Sequence, residues 1–392
     1  MKKIFSAFAL ALLLGLPLVQ AQTKVPFELL ENKIILFKTP IDGKKDSLKF
    51  LFDTGATITT LERKVAQKLG IKPNQTDEVA GASGTRKLDV ATGQRLKLAE
   101  NLWIENADIL LDDLQRLNES SGYHYDGVIG YDVLDHYLTE IDIDNKLFIF
   151  YPKNSKKEFE NYEILNFDLP DEIPIPHIPI EVTLRNSSKI KGTVLYDSGA
   201  SLNMLFNSRF VEENDILPQF EKTVNSIQED FSGRAENKVG LIKGLQVGPY
   251  DIHRTMLAYI STEKKGVTAM PGYLGIVGGG VIYRFNSVLD YENKKLYLKP
   301  AKIYEEPFHS TLSPAKLALQ KGKITAVAVV ESSEAYKAGL REGDKILKID
   351  GKQVSFPKAN QLLTQEGKTI KIEIENSKKE VKILSFKLKS LL

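Results

Sequence analysis

Apolar residues over 23–302 come mostly in short runs bounded by Gly, Pro, Asn or Asp, a pattern that predicts strands. The clearest runs are 33–40, 48–53 and 146–151, followed by 178–184, 190–197 and 295–299. Helical periodicity is scarce: 61–69, closed by Gly70, and 208–213 are the two short helical stretches. Ahead of them, Lys2 and Lys3 precede an apolar run over 5–18, and Val19-Gln20-Ala21 has the small-residue form of a cleavage site. An export leader over 1–21 is expected, because the apolar run falls short of the ~20 residues that span a bilayer. No membrane span is expected after its removal, and the destination is the periplasm or the medium.

The strand pattern occurs twice. Leu51-Phe52-Asp53-Thr54-Gly55-Ala56-Thr57 aligns with Leu195-Tyr196-Asp197-Ser198-Gly199-Ala200-Ser201, and Gly127-Val128-Ile129-Gly130 with Gly275-Ile276-Val277-Gly278. A third block, 140–147, aligns with 288–296. All three recur in order, which is the signature of a duplicated unit. The two units are placed at 23–165 and 175–302, joined through the Pro-rich stretch 170–179, where repeated Pro disfavours helix.

Composition narrows the chemistry. The 392 residues include no cysteine, so disulfides and thiolate metal sites are excluded. Without Lys2 and Lys3, basic residues number the same as the 51 acidic ones, and no electrostatic bias towards nucleic acid remains. The histidines His124, His136, His177, His253 and His309 lack metal-ligand spacing, so neither a metal nor another cofactor is expected. His124 is expected to have a local packing role. Ser198 follows Asp197 rather than sitting between glycines, which disfavours a serine nucleophile with His and Asp partners.

Each repeat carries its chemistry where an apolar strand ends in Asp, then Thr or Ser, then Gly. Two such turns meeting across a pseudo-twofold axis would bring Asp53 and Asp197 together, where like charges cannot both ionise and one proton is shared. Such a pair can activate water and polarise a carbonyl; the aspartic proteases are the standard example.

On these motifs the chain resembles the pepsin and retropepsin-like aspartic proteases over about residues 25–302. The resemblance implies a mainly β fold of two acid-protease-type β-barrel lobes, with Asp53 and Asp197 as catalytic dyad. Thr54, Gly55, Ser198 and Gly199 would support it, and Val128, Ile129, Gly130 and Ile276, Val277, Gly278 would form bracing strands. The substrate-covering hairpin would have its tip at Gly81, Ala82, Ser83 and Gly84, where the chain departs from the pepsin flap in having no tyrosine. Gly279 and Gly280 stand where a bulkier residue often follows the bracing glycine.

Beyond residue 305 the pattern changes. Ala338-Gly339-Leu340-Arg341-Glu342-Gly343-Asp344 and Ile346-Leu347-Lys348-Ile349-Asp350-Gly351, between strands predicted at 324–330, 369–375 and 382–388, are similar to bacterial PDZ domains. The resemblance implies a small α+β domain over 305–392 with a peptide groove, its capture loop at Phe308, His309, Ser310, Thr311 and Leu312. The expectation is therefore a monomeric aspartic endopeptidase of the EC 3.4.23 type acting on peptides or unfolded protein, with a peptide ligand for the PDZ-like domain. The alternative is an exported peptide-binding protein on the same fold with little or no turnover.

Overall fold

The computed structural model describes residues 22–392 apart from 32, 41–46, 82, 171–172, 230–232 and 309. The expected leader lies outside the described residues. The architecture is mainly β, with the C-terminal part forming its own β-rich unit.

In the first half, the strand Ser47–Phe52 ends in three buried residues, Phe50, Leu51 and Phe52. It runs parallel to Gly127–Ile129, with Leu51 opposite Val128 and Phe52 opposite Ile129. Two apolar strands buried side by side suit this parallel arrangement. The second half repeats it: Lys189–Asp197 runs parallel to Gly275–Gly278, with Leu195 opposite Ile276 and Tyr196 opposite Val277. The short helices match too. Arg63–Leu69 is capped by the Glu62 carboxylate, which accepts from the amides of Lys64 and Val65, and it ends at left-handed Gly70. Ser208–Glu213 is capped by Asn207 in the same way.

The halves share a sheet. Phe285–Asp290 pairs antiparallel with Tyr137–Asp142, placing Ser287 opposite Ile141 and Leu289 opposite Thr139. The strands Thr23–Leu30, Leu147–Pro152, Lys295–Pro300 and Glu163–Asn166 extend it on both sides. Phe27, Phe52 and Phe148 fill the space beneath, with ring centroids 4.9 Å (Phe27 to Phe148) and 4.7 Å (Phe52 to Phe148) apart, inside the range where aromatic pairs attract. Asn286 ties the seam: its side-chain oxygen accepts from the amide of Ile143 at 2.8 Å and its side-chain amide donates to Asp144 at 3.1 Å.

Each half also extends a long hairpin over the face between them, Gln75–Ala80 with Thr85–Ala99 and Val224–Glu229 with Arg234–Val247. The second was not anticipated from the sequence. The C-terminal unit is a five-stranded sheet, from the edge strand Ala315–Gln320 through Lys323–Val329, Lys345–Ile349 and Thr369–Glu375 to Val381–Lys387. Its turn at Asp350-Gly351 has positive φ at both residues, the geometry for which Asp-Gly is favoured in two-residue hairpins. The helix Phe356–Leu363 closes its core with Phe356, Ala359, Leu362 and Leu363. This unit rests on both halves. Arg234 pairs with Glu342 at 3.1 Å, and Leu312 and Leu391 pack with Val239.

Candidate active site

The strands Ser47–Phe52 and Lys189–Asp197 deliver Asp53 and Asp197 to one point between the halves. The backbone at each turn is drawn in by its own carboxylate: Asp53 accepts from the amide of Gly55 at 2.7 Å, and Asp197 from those of Gly199 and Ala200 at 3.0 Å. Each glycine faces the opposite carboxylate. A Cβ on Gly55 would lie 2.6 Å from the Asp197 carboxyl carbon, and one on Gly199 only 2.2 Å from that of Asp53.

Thr54 and Ser198 are buried and interlock behind the carboxylates. Thr54 donates its hydroxyl to the Tyr196 carbonyl at 2.5 Å and accepts from the Ser198 amide at 3.0 Å. The Thr54 amide in turn donates to the Ser198 hydroxyl at 2.9 Å. Because these groups are buried, each lost partner leaves an orphan that costs about 1–3 kcal/mol. Thr54→Val, which strands the Tyr196 carbonyl and the Ser198 amide, is therefore expected to lower stability by roughly 2–4 kcal/mol in urea unfolding. A loss under about 0.5 kcal/mol would mean that the interlock contributes little.

Val128, Ile129 and Gly130, and Ile276, Val277 and Gly278, lie beside the two Asp turns. The Asp53 amide donates to the Ile129 carbonyl at 3.0 Å, and Tyr131 and Gly279 donate to the carbonyls of Ala56 and Ala200 at 2.8 and 2.9 Å. A Cβ on Gly130 or Gly278 would come within 2.4–2.5 Å of those carbonyl oxygens, so glycine is required there. Gly279 and Gly280 have their own reason: a Cβ on Gly279 would meet the Lys33 carbonyl at 2.0 Å, and one on Gly280 the Asn203 side-chain oxygen at 2.2 Å.

At the hairpin tip, Gly81 donates to the Gly84 carbonyl at 2.7 Å, closing the turn around Ser83; Ala82 lies outside the described residues. The Gly81 carbonyl accepts from Val267 of the other half at 3.0 Å, so the hairpin reaches across the cleft. His124 lies 3.2 Å from Asp126 and has a local role.

Two residues missed in the sequence complete the site. Tyr283, fully buried, donates to the Ser198 carbonyl at 3.1 Å. Tyr125 forms part of the cleft wall, its amide donating to Asn118 at 3.2 Å. Neither sits in a motif; only the fold brings them in.

Burial raises both carboxyl groups above the usual 3.8, Asp197 the more strongly because the Asp53 charge and the hydrogen bond to Asp53 add to it. At Asp53 the amides of Gly55, Gly199 and Ala56 offset part of the burial. The pair therefore shares one proton.

The capture loop is placed differently from the expectation. Phe308 is buried in the core of the two lobes with the Arg284 guanidinium 4.2 Å over its ring, so it does not line the groove. A single sequence position gives no sign of this, because an aromatic at a domain entrance suits either site. Ser310 is exposed, Thr311 and Leu312 border the groove, and His309 lies outside the described residues.

Residues 38–133 match the family model described as aspartyl protease, and residues 325–376 match the one described as PDZ domain. The chain thus carries an aspartyl protease domain and a C-terminal PDZ domain, which imply peptide or protein ligands. No curated protein matches the chain. Among the described residues no helix is long and apolar enough to cross a membrane.

Proposed function

We propose that this chain is an exported aspartic endopeptidase of the pepsin and retropepsin-like kind, with Asp53 and Asp197 as its dyad. The observation that carries the reading is the convergence of two half-buried carboxyl groups on one point, each faced by the glycine of the other half. In this scheme Asp53, ionised, takes a proton from a water as the water oxygen adds to the peptide carbonyl carbon. Asp197 gives its proton to the carbonyl oxygen. On collapse of the resulting diol, the C–N bond breaks, the amine nitrogen takes the proton held by Asp53, and a diol hydroxyl returns one to Asp197. No covalent intermediate forms.

Activity in this scheme needs Asp53 ionised and Asp197 protonated. Both groups are raised, so both limbs of the bell-shaped profile lie above pH 3.8. Digestion of denatured casein across pH 3 to 8 is expected to be weak at the acid end, to rise as Asp53 ionises and to fall as Asp197 loses its proton. A rate still climbing as the pH drops through 3.8 would exclude this assignment. No cleavage at any pH would favour a peptide-binding protein on the same fold.

A further inference from the structure

The C-terminal domain touches the two halves in different ways. Against the second half the contact is apolar: Leu312 and Leu391 form a small core with Val239, and Val224, Val330 and Leu392 pack against it, with the Arg234–Glu342 pair at the rim. Against the first half the domain meets a polar helix. Gln115–Ser121, which has no buried residue, packs on the strand Ala315–Gln320, and Gly122 at its end lies against the Phe356 ring. Domains stay together where their interface is apolar and move apart where it is small and polar. The contact with the second half therefore holds, and the contact with the helix is the one that can release.

The releasable contact sits at the cleft. Leu117 and Ser121 of the helix, Ile227 of the second half's hairpin, and Phe356 and Lys358 of the C-terminal domain all border the cavity that contains Asp53 and Asp197. The helix also touches the hairpin strand Val224–Glu229, so the three parts meet beside the dyad. Asn118 ties the helix to the cleft wall, its side chain donating to the Tyr125 carbonyl and accepting from the Tyr125 amide, each at 3.2 Å. We infer that the C-terminal domain is an autoinhibitory latch: carried by the second half, it docks on the helix Gln115–Ser121 across the cleft and must let go before a long unfolded chain can lie over the dyad. The inference rests on the peptidase reading only in taking the cleft as the place where polypeptide binds, whether or not it is cut.

The test uses the Asp53→Asn protein, which does not consume bound chain. A Cβ at Gly122 would run into the Phe356 ring, whereas one at Gly70, the matching glycine after Arg63–Leu69, would meet nothing; both have positive φ, which Asn tolerates. Gly122→Asn therefore wedges the latch open, and Gly70→Asn is its control. A docked state holding about nine molecules in ten weakens the apparent affinity of a ligand that needs the open state about 10-fold. Added to Asp53→Asn, Gly122→Asn is expected to lower the Kd of fluorescently labelled denatured casein about 5–10-fold, and that of a peptide of about eight residues less than about 2-fold. Deuterium uptake over 115–122 and 315–320 should rise with it, and Gly70→Asn should change none of these. By reciprocity, casein should raise uptake over the same segments when Gly122 is kept. An unchanged casein Kd alongside raised uptake, or uptake raised by neither the wedge nor casein, overturns the inference. With Asp53 restored, casein that binds but is never cut would sink the peptidase reading and leave the latch standing.

Discussion

Asp53→Asn and Asp197→Asn each lower kcat for casein or peptide cleavage by about 10³-fold, within the range for loss of a general acid or base. The same substitutions act on stability in the opposite direction. A carboxyl group raised by burial binds more protons in the folded than in the unfolded chain between 3.8 and its folded value, so stability falls as pH rises through that window. Asn carries no charge to bury. At pH 7, Asp197→Asn is therefore expected to melt above the unmodified protein, each kcal/mol gained adding about 2–4 °C, with the difference vanishing below pH 3.8. An inactive but stabilised variant separates a catalytic carboxyl from a structural one, which would lose both. Full activity in either variant would remove the dyad from the mechanism.

Gly199→Ala is the second large effect. Its Cβ would fall 2.2 Å from the Asp53 carboxyl carbon and 2.4–2.5 Å from the carboxyl oxygens, distances that atoms do not adopt without movement. Asp53 has little freedom to yield, because the Gly55 amide holds one of its oxygens at 2.7 Å. The carboxylate must be displaced, and displacements near 1 Å at a reacting group cost on the order of 10²-fold in rate. Gly55→Ala meets Asp197 less closely, at 2.6–2.8 Å, and should lose less. The comparison is read as kcat/KM on one peptide; Gly199→Ala retaining more than half the activity would show that the carboxyl groups are not held as described.

Much of this site was legible in the sequence because a duplication writes its chemistry twice. One Asp-Thr-Gly is a turn; two, each ahead of an apolar-apolar-Gly strand at nearly constant spacing, define a pair. The capping of Arg63–Leu69 by Glu62 and of Ser208–Glu213 by Asn207 follows the same copying, although different side chains perform it. What the repeat did not carry was less legible. The helix Gln115–Ser121 has no capping bond from its N-cap residue Leu114 and no buried residue, so its polar sequence gives little propensity signal and its position comes from tertiary contact. The glycines 279 and 280 read as a departure until the Lys33 carbonyl and the Asn203 side chain are seen against them. Phe308 and Tyr283 likewise take their places from contacts between distant segments.

The close approach of Lys33 to Gly279 bears on how the two copies have diverged. In the first copy the residue after the bracing glycine is Tyr131, whose ring meets that of Tyr291 edge-on with centroids 5.2 Å apart. Two identical first copies arranged about a true twofold axis would set a tyrosine where the Lys33 carbonyl leaves no room even for a methyl group. A half-length chain therefore has no route to a symmetric self-pair with this geometry, and the fused, asymmetric pair is the unit on which the site depends.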